Sequence, residues 1–157
     1  MKVYYAAPLF SRAEQDYNEK CAKMIRAVSD AIDLYVPQEA DDINDKSQYA
    51  DSLMIARGDA DKVRESDLVI AVLDGLSIDA GVAAEVGMAY ALDIPMIGLY
   101  TDVRTQGADV PAKLEALKVL GESQFSYVNL FVVGLIKEKG ELVGSEAQLV
   151  EALQKRL

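Results

Sequence analysis

Apolar positions along this chain fall into short continuous runs separated by segments of helical spacing. Val3 to Ala7 reads as a buried strand. Ser11 then opens a helix with Glu14 three residues on, the spacing at which each side chain satisfies the other's backbone N–H. Its apolar stripe is Ala13, Tyr17, Cys21, Met24 and Val28, and it is expected to end near Ala31. Leu34 to Val36 is a short second strand stopped by Pro37, and an acidic, turn-like stretch follows from Glu39 to Ser47. A second helix is expected from about Gln48 to Arg64, burying Tyr49, Leu53, Ala56, Ala60 and Val63. Asp67 to Leu73 is an apolar run of strand length, followed by a helix over about Ala80 to Leu92 and a strand around Met96 to Tyr100. Residues 101 to 123 read as a loop with a short helix. Asn129 to Ile136 favours helix over strand, and a last amphipathic helix covers about Glu146 to Lys155.

Continuous apolar strands alternating with helices imply an α/β fold whose parallel sheet is covered on both faces. No repeat, linker or low-complexity segment interrupts the pattern, so residues 1–157 are read as a single domain, a length that fills one core. In open sheets of this kind ligands bind beyond the carboxyl ends of the strands. That rule gathers Ala6 to Phe10, Asp74 to Gly81 and the loop 101–110 around a site.

Composition then narrows the chemistry. The chain has no histidine, which excludes Ser-His-Asp and Cys-His arrangements and disfavours a catalytic zinc. Proton transfer near neutral pH falls to Asp, Glu, Tyr, Lys or the single cysteine, Cys21, which sits in a helical pattern and reads as packing. A net charge of −10 argues against nucleic acid as partner. No run approaches the roughly 18 apolar residues of a membrane span, and the opening MKVYYAAPLF lacks a secretory signal's long apolar segment, so a soluble, cytoplasmic protein is expected. The cluster Asp41, Asp42, Asp45 reads as a solvated loop in preference to a magnesium site. No Gly-x-Gly-x-x-Gly follows the first strand, which sets a dinucleotide enzyme aside.

The informative segment is Asp79-Ala-Gly-Val-Ala-Ala-Glu85-Val-Gly-Met-Ala-Tyr-Ala-Leu92. At helical spacing Glu85 has Gly81, Val82, Met88, Ala89 and Leu92 as neighbours, an apolar setting in which a carboxylate is costly unless paired or functional. Glu85 leans back across Gly81, whose missing side chain leaves room beside the carboxylate. Gly81 and Gly87 both weaken the helix. A salt-bridged or surface glutamate on a tightly packed Ala/Gly helix is the competing reading, and the sequence leaves it open. Asp79 stands where it can cap this helix. Asp59 flanks the apolar stripe of the second helix, and Tyr4 lies in the first strand.

These residues together resemble the nucleoside 2-deoxyribosyltransferase family. The likeness runs from Lys2-Val-Tyr-Tyr-Ala-Ala-Pro-Leu-Phe10, through Asp59 and the Ser66 to Gly75 strand, to Asp79-x-Gly-x-x-x-Glu85-x-Gly-x-Ala-x-Ala91 and Asn129-Leu-Phe-x-x-Gly134. The resemblance implies a flavodoxin-like three-layer sandwich and a pentosyltransferase of nucleoside salvage. Such an enzyme moves 2-deoxyribose between nucleobases, forms a covalent glycosyl-enzyme on Glu85, and needs no cofactor or metal. Tyr4 would orient the Glu85 carboxylate. Asp79 and Asp59 would meet the base, with Asp79 the better candidate for exchanging its proton. Phe10 would line the base pocket, Gly81 would leave space for substrate, and Asn129 would reach the 5′ side of the sugar from a neighbouring subunit of a homo-oligomer. Two departures stand out: the chain ends Lys155-Arg-Leu157 where relatives often end in an aromatic residue, and only Gln38 follows the second strand as a base-contacting side chain. Two other readings are weighed. One is a 2′-deoxynucleoside 5′-monophosphate N-glycosidase, against which the glycine-free loop Pro8-Leu-Phe-Ser-Arg12 argues. The other is a non-catalytic nucleoside- or nucleotide-sensing domain on the same scaffold.

Overall fold

The computed structural model describes residues 1–40 and 49–157. The acidic cluster Asp41, Asp42, Asp45 and the expected helix start at Gln48 lie outside the described residues. Five strands, β1 (Lys2–Ala6), β2 (Asp33–Tyr35), β3 (Leu68–Val72), β4 (Met96–Leu99) and β5 (Gly140–Val143), form one sheet in the order β2-β1-β3-β4-β5. Every pairing is parallel. The helices are α1 (Arg12–Arg26), α2 (Ser52–Arg64), α3 (Ala80–Ala91), α4 (Pro111–Ala116), α5 (Leu130–Lys139) and α6 (Glu146–Gln154). This is the α/β fold with a parallel sheet expected from the alternation of runs, and the flavodoxin-like sandwich that the family resemblance implied.

Alternation along the strands divides the core. Val3 and Tyr5 of β1 and Leu68, Ile70 and Val72 of β3 pack with Cys21, Ala22 and Ile25 of α1 and Leu149 and Leu153 of α6. Tyr4 and Ala6, with Val69, Ala71 and Leu73, face the opposite layer, against Val63 of α2, Val82, Val86 and Ala89 of α3, and Val132, Val133 and Ile136 of α5. The period of two therefore decides that Tyr4 points at α3 and Tyr5 at α1.

Capping sets the helix starts. Ser11 and Glu14 form the expected reciprocal box at α1, and that helix closes at Arg26, short of Ala31. Asp51 caps α2 through the Met54 N–H. Two expectations fail. Of the stripe assigned to α2, only Val63 is buried: the helix starts at Ser52, so Tyr49, 86% exposed, precedes it, and Leu53, 59% exposed, lies in its first turn, far from the carboxyl end where Val63 joins the core. Strand β5 was also not expected: it is four residues long and runs directly out of α5 with no intervening turn.

Candidate active site

Tyr4 lies at the centre of the sheet, fully buried, with Tyr35 beside it on β2 and Val69 beside it on β3. Its hydroxyl donates a 2.6 Å hydrogen bond to Oε1 of Glu85, in the second turn of α3. The bond is charge-assisted when Glu85 is ionised. Burial is the main influence on this carboxyl, and it raises the pKa to about 7; the Tyr4 hydrogen bond pulls it back, while the fields of Asp59 and Asp79 push it further up. Burial and the neighbouring Glu85 carboxylate drive the Tyr4 phenol far above its ordinary value, so it stays a donor throughout the physiological range.

Asp59 sits on the inner flank of α2, partly buried, and desolvation raises its carboxyl above the ordinary aspartate value. Asp79 is the N-cap of α3: its Oδ1 accepts from Gly81 N at 2.8 Å and Val82 N at 3.2 Å. A Cβ added at Gly81 would lie 3.0 Å from Asp79 Oδ1. Glycine at 81 thus makes room for the cap, and Asp79 Oδ1 is the one atom an added Cβ would meet within 4 Å among the described residues.

The structure brings Tyr4, Glu85, Asp59 and Asp79 into one electrostatic cluster. It does not bring in Phe10 or Asn129. The Phe10 ring is 83% exposed. Asn129 is exposed and caps α5, its Oδ1 accepting from Phe131 N and Val132 N. Gln38, the base-contacting candidate, has its amide engaged inside the chain: Oε1 accepts from Asn18 at 3.0 Å and Nε2 donates to Gln15 O at 3.1 Å. Buried Asn18 also donates to Pro8 O, which ties the turn after β1 to the turn after β2.

One residue of the site escaped the sequence reading. Tyr35 stacks on Tyr4, with ring centroids 5.5 Å apart and 30° between planes. The ammonium of Lys62, three residues beyond Asp59 on α2, stands 5.4 Å from the Tyr35 ring centroid. Its only sequence signal was an aromatic residue closing a strand, and strand register cannot be read from that.

A hydrogen-bonded glutamate, half-buried at mid-helix opposite a strand tyrosine and attended by two aspartates, is an arrangement suited to a carboxylate nucleophile with an acid beside it. Among the described residues no group of three or more His, Cys, Asp or Glu side chains is placed to hold a metal, and no helix is long and apolar enough to cross a membrane.

The family model described as nucleoside 2-deoxyribosyltransferase matches residues 3–142. The chain belongs to that family. Among solved structures, a conserved protein from Enterococcus faecalis V583 is 54% identical and superposes with a TM-score of 0.95, over 100% of this chain and 99% of that one. A 2-deoxyribosyltransferase from Bacillus psychrosaccharolyticus shares the fold at 15% identity and a TM-score of 0.64, over 96% of this chain and 90% of the other. A CMP N-glycosidase from Clostridium botulinum does so at 16% identity and 0.53, over the full length of both chains. Among curated proteins, none matches this sequence.

Proposed function

We propose that this family member cleaves the N-glycosidic bond of 2′-deoxyribonucleosides and passes the 2-deoxyribosyl group to a second nucleobase. The observation that carries the reading is the 2.6 Å bond from buried Tyr4 to Glu85. It leaves the carboxylate anchored on one oxygen, with the other to attack. As the C1′–N bond breaks, its electrons go to the departing base and positive charge develops at C1′; a Glu85 oxygen closes on C1′ to give a glycosyl-enzyme. The base takes up one proton from a carboxylic acid. Asp59, whose carboxyl burial raises, is inclined to hold that proton, while Oδ1 of Asp79 accepts from two backbone N–H groups of the α3 cap. An incoming base returns that proton as its nitrogen attacks C1′ and releases Glu85. No cofactor or metal enters this balance.

The site is completed in a homo-oligomer, with Asn129 of one subunit supplied to the sugar bound by another. Supporting this, Asn129 lies next to an apolar surface where Leu130 and Phe131 are 78% and 75% exposed. These two residues, with Gly87, Tyr90, Gly134 and Leu135, line an open cavity of about 550 Å³. The role is one of nucleoside salvage in the cytoplasm.

The deciding experiment mixes the protein with 2′-deoxyinosine and adenine, without phosphate or metal, and follows products by chromatography. Formation of 2′-deoxyadenosine is expected. Hypoxanthine released without the new nucleoside would make the protein a hydrolase. Turnover of deoxynucleoside monophosphates alone would make it a nucleotide N-glycosidase, and tight nucleoside binding without turnover would make it a sensor.

A further inference from the structure

We infer that Tyr35 is a positioning residue of the site, an aromatic spacer held between Lys62 and Tyr4 that fixes the Tyr4 hydroxyl on Glu85. The inference rests on the proposed role of Glu85, but its test does not depend on turnover.

Tyr4 and Tyr35 are register partners on adjacent parallel strands, so their side chains leave the same face of the sheet side by side. The phenol of Tyr4 has one torsional freedom that moves its oxygen relative to Glu85, rotation about the Cα–Cβ bond, since the oxygen lies on the Cβ–Cγ axis. Tyr35 restricts that rotation by lying against the ring at 5.5 Å. The cation–π contact from Lys62 does a second job. Lys62 and Asp59 are three residues apart on α2 and share one face of it, so a contact that pins Lys62 to β2 also sets how closely Asp59 approaches the Tyr4–Glu85 pair. The carboxyls of Glu85 and Asp59 come from different helices, and the Lys62–Tyr35–Tyr4 stack is a side-chain link between α2 and β1, whose Tyr4 hydroxyl meets Glu85.

Among the described residues, three titratable groups act on Glu85. β1 presents Tyr4, α2 presents Asp59, and Asp79 stands at the start of its own helix. The third neighbouring element, α5, contributes Val132, Val133 and Ile136 to this layer. Among the described residues Tyr4 is the one side chain that donates to Glu85, and its bond is the one influence that lowers the Glu85 pKa. Without that bond the carboxylate of Glu85 would lose its main stabilising contact and titrate at higher pH.

The test is a carbon-13 NMR titration of the Glu85 side-chain carboxyl in the full-length protein, assigned by comparison with Glu85→Gln. Tyr35→Leu is expected to move the Glu85 midpoint upward by about half a pH unit or more, and Tyr35→Phe to restore the parent midpoint, because the stack needs the ring and not the hydroxyl. A purely structural role for Tyr35 would lower thermal stability in Tyr35→Leu and leave the midpoint where it was. An unchanged or lowered midpoint in Tyr35→Leu, or a Tyr35→Phe midpoint displaced equally, overturns the inference. Should Tyr35→Leu fail to fold, Tyr35→Met supplies a flexible apolar side chain of similar reach, with the same upward shift expected. An inactive parent protein with the expected titrations would sink the transferase reading and leave this inference standing.

Discussion

The hydroxyl of Tyr4 and Oε1 of Glu85, 81 residues apart in the chain, meet at 2.6 Å between β1, an interior strand of the sheet, and helix α3, which packs on the same face. This pairing explains how a carboxylate is tolerated in an Ala/Gly-rich helix with so little polar surface. It also leaves the group near neutrality, since burial outweighs the one hydrogen bond and the carboxyl titrates near pH 7.

Removing the donor should show in the pH dependence. The Tyr4 bond is the one influence that lowers the Glu85 pKa, so Tyr4→Phe raises it and the acid limb of kcat/KM moves to higher pH. At pH 6.5 the rate of base exchange should fall about tenfold, with much of the loss recovered by pH 8.5. Initial rates from pH 5 to 9 check this. A uniform loss at all pH values would mean that Tyr4 acts other than by holding the carboxylate.

Glu85 should cost stability as the pH rises. Its folded pKa of about 7 lies above the ordinary 4.5, so between those values the native state binds more protons than the unfolded chain and stability falls with increasing pH. Glu85→Gln keeps an acceptor for Tyr4 and removes the titration. It should abolish base exchange yet unfold at a higher temperature than the parent at pH 8, a gain of up to about 3 kcal/mol that vanishes near pH 4.5. Melting curves at the two pH values decide it. A variant less stable than the parent at pH 8 would show that the carboxylate is stabilised by its surroundings.

Much of this architecture was legible in the sequence for simple reasons. Four strands are continuous apolar runs, and Ser11 and Asp79 are side chains that cap helices whatever surrounds them. Glu85 stood out because its helical neighbours are apolar, a local property. Relationships between distant segments were not legible. That Tyr4 faces α3 follows from the strand period, but that Tyr35 lies beside it follows from register, which no local pattern records. The exposure of Tyr49 and Leu53 could not be foreseen either, because helical spacing shows an apolar stripe without showing whether anything covers it.

Strand β5 was missed because a glycine ordinarily argues against a strand, and here the glycine is what permits it. An added Cβ at Gly140 would fall 1.8 Å from the Met96 carbonyl oxygen on β4. Backbone approaches backbone there, and no side-chain rotation relieves the contact. Gly140→Ala should destabilise the protein by about 3 kcal/mol, read as a lower denaturation midpoint in urea. Gly134→Ala, where an added Cβ meets nothing within 4 Å of this chain, serves as the control. Equal midpoints for the two variants would mean that the edge pairing of β5 is dispensable.

The two aspartates should separate by leaving group. Asparagine retains helix-capping ability at position 79, so Asp79→Asn tests the charge without breaking the α3 start. Asp59→Asn removes the carboxyl that burial keeps inclined to hold a proton. With 2′-deoxyinosine, whose base must be protonated to depart, Asp59→Asn should lose on the order of 10²- to 10³-fold in rate. With 7-methyl-2′-deoxyguanosine, whose base already carries the positive charge, it should lose little. The same selectivity in Asp79→Asn and not in Asp59→Asn would reassign the proton to Asp79.

Asn129 leads to the last prediction, because in the single chain its only visible work is to cap α5. If it also serves a neighbouring subunit's sugar, its two functions can be divided. Asn129→Asp preserves the cap but replaces the amide by an anion, and should weaken substrate binding while thermal stability holds. The stronger test mixes two inactive proteins. Glu85→Ala lacks the nucleophile and Asn129→Ala lacks the amide. In a mixed oligomer, one subunit can lend an intact Asn129 to another that retains Glu85. Dissociating and reassociating an equimolar mixture should therefore restore roughly a quarter of parent activity, as random pairing of two complementing subunits would give. Activity that stays absent after mixing, with exchange of subunits confirmed by native mass spectrometry, would place the complete site within one chain. Asn129 would then be a helix cap and nothing more.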